Sequence, residues 1–170
     1  MKRFFKFIIP FVILGCLTFL FFKIKAKLNE KRKVEEATAM LPYVSFLSIE
    51  GDAVKINQAV NKVKYIVFFN SDCEHCQAEA ILLADNFEEF ENSDVYFLSN
   101  EPLENIRAFK EKYLKGQHGF QVGSIDPKVS SGVFGVHTFP YVMIYGKDNK
   151  LLKTFKGEVK LEALTTYTKL

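Results

Sequence analysis

Cys73 and Cys76 stand two residues apart in FFNSDCEHCQAEA, directly after an apolar run that ends in a polar turn. A disulfide exchanger needs one thiolate that attacks and a second thiol near enough to release the mixed disulfide, and a C-x-x-C at the start of a helix supplies both. Cys73, at the outer end of the turn and facing the unpaired amides of the helix N-terminus, is the expected attacking group, with Cys76 as the resolving one. His75 inside the motif favours a Cys73 thiolate when protonated, whereas Asp72 and Glu74 oppose it.

The same pair could be half of a metal site. Zinc requires two further ligands, and with no second cysteine pair only His75, His118 and His137 are available. Copper(I), a softer ion, suits two thiolates and one imidazole, with His137 beside Pro140 as the third ligand. That reading, a copper(I) metallochaperone, is the alternative from a different functional class. A peroxide-reducing site would call for a threonine three residues before the attacking cysteine, where this sequence has Asn70.

The elements around the pair fit thiol chemistry. YIVFF (65–69) reads as a buried central strand, and helix formers follow from Cys73 to Glu91, with Leu83, Phe87 and Phe90 on one stripe. Before them, YVSFLSIEGDAVKI alternates on both sides of Gly51-Asp52 as a hairpin does. VYFLS (95–99) is a second strand, and EPLENIRAFKEKYLKG a helix with Pro102 in its first turn and Gly116 as its stop. Asp126-Pro127 opens a short helix. YVMIY (141–145) and LLKTF (151–155) form a hairpin through GKDNK, and VKLEALTTYTKL closes the chain as a helix. The order predicts an α/β fold with a central mixed sheet flanked by helices. Pro140, directly before a strand, stands where an X-Pro bond can be cis and leave an open backbone edge beside another loop.

Charge is divided unevenly. Residues 1–33 carry nine Lys/Arg against one acid, and residues 34–170 carry fourteen against nineteen, a net of −5. An acidic body argues against nucleic-acid binding, which needs a basic face. The basic end flanks FIIPFVILGCLTFLFF (7–22), sixteen residues without a charge. As a helix this run covers roughly 24 Å against an apolar bilayer core of about 30 Å, so the expected single transmembrane helix must recruit Phe4 and Phe5 and let its lysines snorkel. No A-x-A site follows it, which favours an uncleaved anchor over a signal peptide. Ile13-Leu14-Gly15-Cys16 could alternatively be a lipoprotein processing site, although the apolar run continues six residues past Cys16. The expected organisation is an anchor over 1–22, a polar stalk over 23–42 closed by Pro42, and one domain over 43–170.

These residues resemble the thioredoxin superfamily, and within it the membrane-anchored TlpA/ResA-like thiol-disulfide oxidoreductases. The resemblance covers about 43–168 and rests on the leading hairpin, YIVFFNSDCEHCQAEA, Thr138-Phe139-Pro140 before a strand, and GKDNKLLKTFKGEV. It implies a thioredoxin-like fold, Cys73 as nucleophile, Cys76 as resolving thiol and a cis Pro140 that flanks, with Thr138 and Phe139, the substrate groove. Glu74 and Glu79 match acidic positions of ResA-like members, the second implicated in proton handling. The resemblance further implies a protein disulfide substrate, a membrane thiol protein as electron donor, no bound cofactor and no metal. It places the domain outside the inner (cytoplasmic) membrane, in the periplasm. The basic counts flanking the span, six Lys/Arg after it and three before, point the other way by the positive-inside rule. Two positions depart from the family: Asp72 replaces the usual Trp and His75 the usual Pro, leaving the redox direction open.

Overall fold

The computed structural model describes residues 2–56, 61–115 and 119–169, with the backbone alone for residues 2–10 and 13. Contacts divide the chain into two compact units, Met1–Glu36 and Ala37–Leu170.

The described residues of the first unit are helical, as part of helix α1 (Lys2–Thr38). Its polar half carries the exposed i,i+4 pairs Lys31–Glu35 and Arg32–Glu36. In its apolar half the Thr18 hydroxyl donates back to the carbonyls of Leu14 and Gly15, so the one hydroxyl of the run is satisfied within the helix. Cys16 lies inside this helix. Among the described residues no helix is long and apolar enough to cross a membrane. The expected span over 7–22 lies partly outside the residues whose side chains are described.

The second unit starts at Ala37. Residues 39–41 belong to it because Leu151 N donates to Ala39 O, Met40 bridges Lys150, and Leu41 N donates to Asn149 O. Seven strands form one sheet: β1 (Ser45–Ser48), β2 (Ala53–Lys55), β3 (Val63–Phe68), β4 (Ser93–Ser99), β5 (Phe120–Ser124), β6 (Tyr141–Tyr145) and β7 (Leu151–Lys156). Their spatial order is β2-β1-β5-β4-β3-β6-β7. β3, β4 and β5 run parallel, and β1, β2, β6 and β7 pair antiparallel, which is the mixed sheet expected. The helices of this unit are α2 (Glu74–Asp85), α3 (Leu103–Tyr113), α4 (Pro127–Gly132) and α5 (Leu161–Thr165), with a 3-10 turn at Phe87–Phe90.

β3 is central because both its faces are buried and, Lys64 apart, apolar. Val63, Tyr65 and Val67 pack with Leu83, Phe90, Ile106, Phe109 and Leu164 on the side of α2, α3 and α5. Ile66 and Phe68 pack with Phe46, Tyr96, Phe134 and Tyr141 on the other. A strand buried on both faces lies deep in the sheet, so its C-terminal end presents the next residues at a fixed point. Phe69 extends that anchorage: its amide bonds Leu98 O at 3.0 Å and its ring stacks on Phe109 at 4.2 Å between centroids.

Three details differ from the sequence reading. β5 was not anticipated, since FQVGS lacks a continuous apolar run. The cysteine helix stops at Asp85, and the stripe continues through the 3-10 turn. α3 ends at Tyr113, and Gly116, its expected stop, lies outside the described residues.

Candidate active site

The site is built where β3 hands over to α2. Residues 70–72 make the turn: Asp72 N donates to Asn70 Oδ1 at 3.0 Å, and Cys73 N to Asn70 O at 3.2 Å. The turn is pinned from the far side by Glu101, whose carboxylate accepts from Ser71 N at 2.7 Å, Ser71 Oγ at 2.8 Å and Ser99 Oγ at 3.0 Å. Gln77 Nε2 closes it by donating to Ser71 O at 2.9 Å.

Cys73 is the N-cap of α2, with extended φ and ψ of −84° and 113° and no capping bond from its side chain. A thiolate there would be an acceptor at the positive end of the helix, facing amides that the helix leaves unpaired. Cys73 is half-buried, whereas Cys76, one turn further in, is 1% exposed. Burial, then the neighbouring Cys73 and Glu79, push the Cys76 thiol up to about 12, against a hydrogen bond with Asn70. The two thiols are therefore chemically unlike, an accessible outer one and a buried inner one.

The bond between Phe139 and Pro140 is cis. Phe139 O lies 3.9 Å from Cys73 Sγ, so the segment 138–140 and the outer thiol share one surface. Thr138 and His137 are exposed, Phe139 half-buried and Pro140 buried.

Glu79, expected on α2, is buried to 1% exposure. Its Oε2 accepts the Val159 amide at 3.0 Å, and burial holds its carboxyl up at about 7, assisted by the charge of Glu158 and opposed by the Val159 bond. His75 is exposed and its Nδ1 meets Glu158 Oε2 at 3.0 Å. Glu74 is exposed in the first turn of α2. Thus Cys73, Cys76, His75, Glu79 and Phe139-Pro140 converge, and Glu74 stays at the rim.

Sequence reasoning missed Glu101, Ser71 and the segment 157–159. Glu101 directly precedes the helix-opening Pro102, but nothing local indicates that it reaches back thirty residues to Ser71. Among the described residues no group of three or more His, Cys, Asp or Glu side chains is arranged to hold a metal ion, and His118 lies outside them.

A mixed sheet whose central strand delivers a close-set dithiol to a helix N-terminus, beside a cis proline loop, is a thioredoxin-like fold with a thiol-redox arrangement. The chain belongs to the AhpC/TSA family, whose sequence profile matches residues 37–168. No curated protein matches it at a significant level. Among solved structures it is similar to dsbF of MTB, in mixed oxidized and reduced forms, with 16% identity and a TM-score of 0.67 over 78% of this chain and 96% of that one. A secreted Mycobacterium tuberculosis disulfide oxidoreductase homologous to E. coli DsbE shares 14% identity with a TM-score of 0.65, over 79% and 98% of the two chains. A peroxiredoxin-like protein from Aquifex aeolicus gives 16% and 0.65, over 78% and 85%. At these identities the likeness is one of fold.

Proposed function

We propose that this protein is a membrane-tethered thiol-disulfide oxidoreductase of TlpA/ResA type that reduces protein disulfides outside the cytoplasmic membrane. The observation that carries the chemistry is the asymmetry of the dithiol. Cys73 stands half-exposed at the open end of α2, 3.9 Å from Phe139 O, and Cys76 is sealed behind it.

The Cys73 thiolate attacks one sulfur of a client disulfide; the client S–S bond breaks, and its second sulfur leaves as a thiolate that takes up a proton. Cys76 then gives up its proton and attacks the Cys73 sulfur, expelling the client's first sulfur, which is protonated in turn. Two electrons have passed to the client, and the protein is left with a Cys73–Cys76 disulfide for a membrane dithiol donor to reduce. Glu79, one helical turn beyond Cys76 and ionising near neutrality, is placed to accept the Cys76 proton. Cys73, Cys76, Glu79 and His75 are the reacting and tuning groups, and Thr138, Phe139 and Pro140 line the client groove.

The tether is supported by the uncharged run 7–22 and by α1 itself, where Phe11, Leu14, Leu17, Phe19, Phe21 and Phe22 are all more than half exposed. Placement outside the membrane is supported by chemistry: a tethered reductase of disulfides gains little in a cytosol already kept reducing. Peroxide is a different oxidant for the same fold, but position 70 builds the turn through its carbonyl and amide oxygens and offers no hydroxyl.

The deciding experiment is Cys76→Ser in cells, which removes the resolving thiol and leaves the attack intact. Adducts that vanish under reductant and in the Cys73→Ser variant are expected. Their absence, or peroxide consumption above background by the purified protein, would overturn the assignment.

A further inference from the structure

Three consecutive residues after β7 each hold a different part of the site. Gly157 N donates to Pro140 O at 2.8 Å, Glu158 Oε2 meets His75 Nδ1 at 3.0 Å, and Val159 N donates to Glu79 Oε2 at 3.0 Å. The two backbone contacts are architectural, and the first is made from a positive φ of 86° at Gly157 that favours glycine. The middle one depends on a side chain, and it brings a carboxylate to the first turn of α2, where the attacking cysteine caps the helix.

That position matters because the redox balance of a dithiol follows the stability of its thiolate. A protonated imidazole in the turn and the positive end of the helix both favour the Cys73 thiolate, and so favour the reduced protein. A carboxylate paired with the imidazole offsets that charge and occupies the ring's Nδ1. Asp72 and Glu74, both exposed beside the motif, act in the same sense but touch neither His75 nor the sulfur through any hydrogen bond in the structure.

We propose that Glu158 is a positioning residue that tunes the redox balance of the dithiol, by holding His75 and offsetting its charge so that the couple is made more reducing. The proposal rests on the exchange reading above. It assigns to Glu158 a role that the motif alone conceals, since a protonated histidine within the C-x-x-C would otherwise favour the dithiol and make the couple a stronger oxidant. His75 and Glu158 side chains are 71% and 55% exposed, so the pair is a screened surface interaction and its effect is modest.

The test is equilibration with glutathione, in which protein disulfide and two glutathione thiols give protein dithiol and one glutathione disulfide. Wild type, Glu158→Gln, His75→Ala and the double variant are compared at low salt and at about 1 M salt, where the screening length falls to about 3 Å. Glu158→Gln keeps the acceptor and removes the charge; it is expected to shift the equilibrium about threefold towards dithiol, a rise of about 15 mV in potential. In the His75→Ala background the same substitution is expected to be silent, and high salt to shrink the shift. An unchanged Glu158→Gln, or an equal shift with and without His75, would overturn the proposal while leaving the exchange reading standing. A wild type that never forms the Cys73–Cys76 disulfide in the buffer would instead remove the exchange reading, and this inference with it.

Discussion

One carboxyl oxygen of Glu79 accepts the Val159 amide at 3.0 Å, and the other, equally buried, has no hydrogen-bond partner among the described residues. A carboxyl half satisfied in this way is held near the point of taking or giving a proton, beside a cysteine thiol pushed up to about 12. Proton transfer from Cys76 is therefore the step that should feel it.

Glu79→Gln is expected to slow release of a Cys73 mixed disulfide by on the order of 10²-fold, the usual scale for a lost acid or base. The pH–rate profile of the wild type should bend near 7 and that of the variant should not. Stopped-flow decay of a mixed disulfide with a coloured small thiol reads both. Equal rates across the range would remove Glu79 from the proton path.

Stability should respond to the same ionisation. The folded-state pKa of Glu79 is raised from 4.5 to about 7, so between those values the folded protein binds more protons than the unfolded chain. The favourable contribution is then present at low pH and is lost as pH rises through the window, by roughly 3 kcal/mol at most from burial of this one group. Denaturant titrations of wild type and Glu79→Gln at pH 4.5 and pH 8 isolate it. The variant should gain on wild type at the higher pH, and a constant difference would contradict the shift.

The Glu101 carboxylate ties the turn after β3 to the end of β4 by accepting from Ser71 and from Ser99. Glu101→Ala leaves three donors without that acceptor and should lower the unfolding free energy by about 2 kcal/mol. Glu101→Gln keeps an acceptor and should lose less. Unfolding midpoints that coincide for all three proteins would show that water replaces the carboxylate without cost.

Gly123 in β5 explains why that strand escapes a reading by pattern. A Cβ there would come within 2.3 Å of Leu47 O and 2.5 Å of the Phe46 ring, so the residue must be glycine although glycine weakens the strand signal. Gly123→Ala is expected to cost about 1–3 kcal/mol, because the backbone carbonyl of β1 cannot step aside as a flexible side chain can. A stability within about 0.5 kcal/mol of wild type would mean that the β1–β5 pairing slides freely.

What was legible along the chain was what repeats locally or sits in a short motif. The hairpin of β1 and β2, the doubly buried β3, the helix opened by the cysteines and the cis proline before β6 all announce themselves within a few residues. What was not legible depends on distant parts of the fold. The resemblance singles out Glu79, but its burial on α2 comes from the segment before α5, where Val159 meets it from eighty positions away. Glu101 and Glu158 read as two of many acids in an acidic body, and only the topology brings them to Ser71 and His75. Residues 39–41 likewise gain their order from the β6–β7 turn, more than a hundred residues on.

His75 gives the last prediction, because it replaces a residue whose geometry the turn would accept. It lies in the first turn of α2, where proline is tolerated because the amides there have no partner one turn back. His75→Pro should therefore fold, while losing both the imidazole and its contact with Glu158. With the imidazole gone, the Cys73 thiolate is less stabilised, the reduced form is less favoured, and the potential should fall by roughly 30 mV for each 1.4 kcal/mol of thiolate stabilisation lost. The Glu158 carboxylate already offsets part of that stabilisation, so the fall should be smaller than the same change would produce in a Glu158→Gln background. Equilibration against glutathione measures all four proteins on one scale. An unchanged or higher potential in His75→Pro would mean that the exposed ring acts on solvent alone, leaving the direction of electron flow to the helix terminus and the buried Cys76.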